Sequence, residues 1–138
     1  MDKYQILESF GGFDDFLLHL GISGVLLAVF VAVYIRITPY REMALIRENN
    51  MAAAFSLSGT ILGMVIPLAT AVQYSVNPID MAIWGAIALA IQLIVFILAR
   101  ISLPSIIQDI PAGKTAAGFF LGIISIAGGV LNSACMTY

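Results

Sequence analysis

The sequence predicts an all-α membrane protein of four transmembrane helices, formed by tandem duplication of a two-helix hairpin with its two copies in parallel, and three observations lead there. The first is an internal match at an offset of 64 with no gap: Gly21 with Gly85, Val31 with Val95, Arg36-Ile37 with Arg100-Ile101, Ala52-Ala53 with Ala116-Ala117, Phe55 with Phe119, Leu57 with Leu121 and Tyr74 with Tyr138. A repeat of this kind decides architecture ahead of any local reading. The second is composition, since 61% of the 138 residues are hydrophobic and 10% are charged, whereas soluble domains carry about 25% charge. The third is that four apolar stretches, Phe16 to Ile35, Met51 to Gln73, Met81 to Ala99 and Thr115 to Thr137, each approach the roughly 20 residues that cross a bilayer core.

Taken in order, residues 1–15 read as an outer N-terminal segment, exposed or briefly helical and amphipathic, ending near Gly11-Gly12. Residues 16–74 form the first two-helix repeat and 80–138 the second, together one membrane domain. No cleavable signal peptide is expected, because the N-terminus is acidic and no small-residue cleavage site follows a short apolar core. After the first span Thr38-Pro39 breaks the helix, and Tyr40 to Asn50 mixes charge with Met43, Leu45 and Ile46 as an interfacial helix or helical connector would. Pro67 lies inside the second span and cannot bond to the Gly63 carbonyl one turn back, which predicts a bend there. Asn77-Pro78 is a turn signal, with Asp80 near the next helix start, where a carboxylate complements the dipole. The last connection, Pro104 to Gly113, is more apolar and is interrupted by Pro111 and Gly113. No soluble domain fits anywhere between these elements.

A hairpin returns to its starting side, so the second copy enters the membrane in the same sense as the first. The halves are then related by an axis along the membrane normal, unlike the inverted repeats of many transporters. Arg36, Arg41 and Arg47 lie at the first connection, Arg100 and Lys114 flank the third, and only Lys3 lies on the other side. Short basic loops stay cytoplasmic, so both termini are expected on the outer side of the membrane. Arg36 and Arg100 are expected to anchor the inner helix ends by reaching to lipid phosphates. The formal net charge of −2 gives no sign of a nucleic-acid partner.

Small residues mark helix-packing faces in lipid, where hydrophobicity does not drive association. One stripe runs through Gly118, Gly122, Ser125, Gly129 and Asn132 on the fourth span, and another through Ala52, Ser56, Gly59, Gly63 and Thr70 on the second. Under the 64-residue shift the two point nearly opposite ways. The expectation is that one closes the protomer and the other meets a second copy, making a homo-oligomer. Ser58, Thr60, Gln92, Ser125 and Asn132 are the polar groups at depth; Gln92 and Asn132 read as hydrogen-bonding glue between helices, with Thr60, Gln92 and Asn132 alternatively the lining of a hydrated path. No ionisable residue falls near mid-span, where pumps and proton-coupled carriers place them.

Chemistry is not indicated. Asp15, His19 and Ser23 follow at i, i+4 and i+8 on one helix, but parallel side chains do not converge as a triad must. His19 has no partner at metal-ligand spacing. The lone Cys135 permits no internal disulfide, and no cofactor motif is present.

The stretches Ile37-Thr38-Pro39-Tyr40, Asn49-Asn50-Met51-Ala52-Ala53-Ala54, Ser58-Gly59-Thr60-Ile61-Leu62-Gly63 with Ile66-Pro67-Leu68, Trp84-Gly85, and Gly128-Gly129-Val130-Leu131-Asn132-Ser133-Ala134-Cys135-Met136-Thr137 resemble the YjfL-like small bacterial inner-membrane proteins, the domain of unknown function 350 family. The resemblance covers nearly the whole chain. It implies two copies of a two-helix unit, and a genomic setting beside phage-shock-type peripheral membrane proteins and ATP-grasp ligase-like proteins. Together with the residues, it leads to the expectation of a non-enzymatic, self-associating platform in the bilayer for a peripheral envelope or membrane-stress protein, with a homo-oligomeric channel or small-solute pore as the alternative.

Overall fold

In the computed structural model, which describes residues 10–137, four long apolar helices carry the chain through a bilayer's thickness. They are α1 (Phe13–Ile37), α3 (Met51–Tyr74), α4 (Pro78–Ser102) and α6 (Thr115–Cys135); short α2 (Glu42–Arg47) and α5 (Ile106–Asp109) lie in the two connections at the basic end. Most of the expected outer segment, and Tyr138 of the Tyr74 pair, lie outside the described residues.

Local chemistry sets each boundary. Proline disfavours the helical region for the residue before it, and Thr38, ahead of Pro39, is extended (φ −74°, ψ 132°) and ends α1. Its hydroxyl turns back to donate to the carbonyls of Tyr34 (3.2 Å) and Ile35 (3.0 Å). Asn50 caps α3 by accepting from Ala53 N–H at 3.0 Å. Asn77 caps α4 by accepting from the N–H groups of Ile79 and Asp80, while the Asp80 carboxylate accepts from Val76 N–H at 3.1 Å.

The two basic-end connections close with the same turn. Asn49 (φ 65°) and Gly113 (φ 77°) are the positive-φ residues of the described chain, and they stand 64 positions apart. Each is followed by an N–H reaching five residues back, Asn50 to Leu45 O and Lys114 to Asp109 O, both at 2.9 Å. This is the helix-ending motif in which a left-handed residue redirects the chain. α3 and α6 then begin two residues after it, at Met51 and Thr115.

α3 is the axis of the bundle: 56% of its apolar window is buried inside the protein, against 6% for α1, which leaves most of its surface outside the bundle. Its partner is α6. Gly118 lies against the Ala52 backbone, Gly122 against Phe55 and Gly59, and Gly129 against Gly63, so a methyl group at Gly59, Gly118 or Gly129 would overlap main-chain atoms of the facing helix. Phe55 and Phe119 meet edge to face, their centroids 6.0 Å apart. Partners ascend together along both helices, so α3 and α6 are parallel. α1 and α4 also run parallel, with Leu26 beside Gly85 and Tyr34 against Phe96. One apolar cluster, including Leu57, Phe96, Ile106, Ile110 and Leu121, fills the basic half; another, including Phe30, Met64, Leu68, Ala88 and Met136, fills the other.

The seam corrects the expectation that one small face closes the protomer and the other awaits a second copy. Both stripes are spent on each other within one chain. Opposite phase under the 64-residue shift means only that the two helices meet through different faces, because each helix can roll about its own axis as it packs. The close backbone approach brings Cα–H groups and carbonyls together, contacts worth about 0.5–1 kcal/mol each. Pro67 bears on one of them. It leaves the Gly63 carbonyl without its usual helical donor, and that oxygen faces Gly129 Cα.

Candidate functional site

Deep in the bundle the polar groups answer one another across helices. Gln92 Nε2 donates to Ser125 O at 2.8 Å, Thr60 Oγ1 and Ser125 Oγ lie 3.3 Å apart, and Asn132 Nδ2 is 3.4 Å from Ala88 O. Thr70 and Ser133 pair at 2.6 Å nearer the other end. Between these groups Met64, Gly63 and Gly129 are packed tight and buried. Arg36 is exposed and Arg100 half-buried at the basic end of their helices. On α1, His19 Nδ1 lies 2.7 Å from Asp15 O and Ser23 Oγ donates to His19 O at 2.7 Å, so these side chains engage their own helix backbone and do not converge. Among the described residues no group of three or more His, Cys, Asp or Glu side chains is placed to hold a metal ion.

The concentrated chemistry lies at the basic end, around Glu42. α1 stops at Thr38, Pro39 turns the chain, and α2 starts by carrying Glu42 inward. The side chain is fully buried, and neither carboxylate oxygen has a hydrogen-bond partner among the described residues. Burial pushes its carboxyl up to about 7, against the pull of the Tyr34 and Thr38 hydroxyls, which lie near enough to ease the charge without hydrogen-bonding it. The buried Tyr40 hydroxyl is also unpartnered, and desolvation followed by the neighbouring Glu42 charge drives its phenol upward. Tyr34 Oη lies 3.4 Å from Ser56 Oγ, with its ring edge-on to Phe96 at 5.0 Å. Arg41, Arg47 and Arg100 all sit at this end, yet the one ion pair among the described residues is Lys114 with Asp109, 2.6 Å apart on the surface.

Glu42 thus sits beside the hydroxyls of Tyr34, Thr38 and Tyr40, with Ser56 of α3 behind the tyrosines. An open concavity of about 350 Å³ lies over it, bounded by Pro39, Tyr40, Arg41 and Arg47 among others. Sequence reasoning placed Ser56 on a packing stripe and missed the rest. Glu42 read as one charge among several in an interfacial connector, and six residues of helix are too few for periodicity to show that it faces inward. The available signal was proline spacing: a chain turned back at Pro39 carries its next helical turn under the preceding span.

The two basic-end connections are also joined. Asn50 Nδ2 donates to Ile110 O (3.0 Å) and lies 3.3 Å from Pro111 O, tying the start of α3 to the end of the second basic connection.

This arrangement can be set beside known proteins. The family model described as Domain of Unknown Function (DUF350) matches residues 6–136. The chain belongs to this family. It is similar to the UPF0719 inner membrane protein YjfL of Escherichia coli K12, with 43% identity over 134 residues that cover 97% of this chain and 99% of that protein. The same identity and coverage hold for YjfL of Escherichia coli O157:H7. The UPF0719 transmembrane protein YshE of Bacillus subtilis is 24% identical over 110 residues, covering 78% of this chain and 82% of that one. No solved structure matches significantly. With its four apolar helices, this member of the family is a multi-pass inner-membrane protein.

Proposed function

We propose that the protein is a non-enzymatic platform, a self-associating four-span unit that presents its basic end to a peripheral protein of an envelope or membrane-stress system. The observation that carries this reading is the joined basic face. Asn50 links the two connections, the two left-handed turns fix their exits, and Arg41, Met43, Arg47 and Lys114 are exposed around them. An ordered, basic, partly apolar surface beside a bilayer suits a docking role. The interior suits conduction poorly, because the α3–α6 seam closes on backbone and the deep carboxamides are bonded to carbonyls.

Duplication of a hairpin accounts for the architecture. Its supports are that the equivalent residues Phe55 and Phe119 meet edge to face and that equivalent turns recur at Asn49 and Gly113. The basic end is cytoplasmic and both termini periplasmic, following the distribution of Arg and Lys. With the α3 and α6 stripes consumed internally, the small face left for a second copy is on α1, where side chains added at Gly21 or Gly24 would meet nothing within 4 Å. A shallow apolar groove of about 450 Å³ runs beside it, from Leu17 to Ala82.

Site-specific photocrosslinkers at Met43 and Arg47 in living cells should trap a peripheral membrane protein, while one at Val76 on the opposite end should not. Alkaline phosphatase fused after the last residue should be active. Purified protein in liposomes should pass no ions above background. Conductance that changes in Gln92→Leu without loss of folding would instead establish the pore reading.

A further inference from the structure

Just past the end of α1 the chain folds around an open concavity of about 350 Å³, walled by Ile35, Pro39 and Met43 and bordered by Arg41 and Arg47. That volume lies within the roughly 300–1,000 Å³ of small-molecule sites. Both guanidiniums are exposed, and the one ion pair among the described residues joins Lys114 to Asp109, so neither arginine is spent on a carboxylate. Glu42, in the same lining, is fully buried and its oxygens have no partner. A carboxyl group so placed is held neutral by a proton, which leaves the charge of the two arginines uncancelled. Position adds a second constraint. The spanning helix α1 ends at Ile37 and the concavity opens over the next few residues, which sets it at headgroup depth, at the edge of the hydrocarbon core.

We propose that this concavity is a binding site for an anionic glycerophospholipid, whose phosphodiester lies between Arg41 and Arg47. Guanidiniums suit the task because their planar fork meets phosphate oxygens in pairs, and basic pockets at the ends of membrane helices hold anionic headgroups. The apolar wall selects a lipid over a soluble phosphate: Ile35, still within the span, and Met43 give the first methylenes of an acyl chain a surface to lie on. Charge selects the headgroup, since a zwitterionic lipid brings its own ammonium group towards the arginines and a net-anionic one does not. The titratable and charged groups around Glu42 are Tyr34 of α1, Tyr40 of the connection, and Arg41 and Arg47 at the concavity, with Arg100 of α4 acting on Tyr40. As pH rises through about 7 Glu42 ionises and places a negative charge in the lining, so lipid binding weakens. The site does not rest on the platform reading, since a lipid can fill it with or without a docked protein.

The test uses the full-length protein in neutral detergent, titrated with phosphatidylglycerol, phosphatidylcholine or inorganic phosphate. Bound lipid is counted by native mass spectrometry and stability is followed as Tm. Phosphatidylglycerol should bind saturably and raise Tm, and neither phosphatidylcholine nor inorganic phosphate should raise it. Arg41→Gln with Arg47→Gln should weaken phosphatidylglycerol binding about tenfold. Arg36→Gln with Lys114→Gln, which removes the same charge from the same end outside the concavity, should leave it nearly unchanged. Raising the pH through about 7 should lower the affinity of the parent but not that of Glu42→Gln. A phosphatidylglycerol with a photoreactive headgroup needs no variant, and should label the unmodified protein within residues 35–47. The proposal is overturned by equal binding of phosphatidylcholine, by inorganic phosphate matching the lipid, or by equal loss in the two double variants. Parent affinity that is unchanged across that pH range overturns it as well, as does labelling that falls elsewhere.

Discussion

Replacing Gly129 by alanine adds one methyl group, and its effect is set almost wholly by what that methyl meets. It would fall on the oxygen, carbonyl carbon and Cα of Gly63, all main-chain atoms of α3. A side chain in the way can change rotamer, but a helix backbone cannot, so α3 and α6 must separate. A gap of 0.5–1 Å forfeits about a quarter to a half of each dispersion contact along a seam, and overpacking of this kind costs about 1–3 kcal/mol. The rigid backbone places this case near the top of that range. Alanine also improves helix propensity by about 1 kcal/mol, leaving a net loss of about 2 kcal/mol. Gly24→Ala is the matched control: its methyl meets nothing within 4 Å, so only the propensity gain remains. The assay is unfolding in mixed micelles of rising dodecyl sulfate content, followed by circular dichroism. Gly129→Ala as stable as the parent, or Gly24→Ala equally destabilised, would refute the seam argument.

Two further outcomes follow from the basic end. The folded Glu42 carboxyl is raised to about 7 from an ordinary 4.5, so the native state holds a proton that the unfolded chain releases between those values, and stability should fall as pH rises across that window. The effect is on the order of 3 kcal/mol, and a stability profile of Glu42→Gln should be flat over the same range. Asn50→Ala removes both the cap of α3 and the link to the second connection, and should cost about 1–2 kcal/mol, with faster amide exchange at Ala53 and around Pro111 as the local signature.

How much of this was readable beforehand differs by element. The spans were legible because a bilayer imposes length and apolarity together, and the observed helices begin and end within a few residues of the apolar stretches, at Asn50, Asn77 and Pro39 for reasons of local chemistry. Gly59, Gly118 and Gly129 were legible as packing residues, since little else explains glycine at helical spacing in a membrane span. Which stripe met which was not, because phase along a sequence does not reveal how a helix rolls about its axis. Glu42 and Tyr40 were hidden for another reason. Their burial depends on how α2 folds beneath α1 after a single proline, a tertiary event that leaves no periodic trace.

The paired left-handed turns at Asn49 and Gly113 bear on how this chain can change. Each turn hands the chain to a helix two residues later, and successive residues of a helix are set 100° apart. One residue inserted or removed in either connection would swing the next helix by that angle and carry its glycines off the shared seam. Side chains at the lipid surface are free to drift, but the length of these connections is not. On the proposed duplication, an unbroken offset of 64 is what such a constraint would preserve: substitutions would accumulate at single positions, while insertions and deletions would be lost because they act on a whole helix at once.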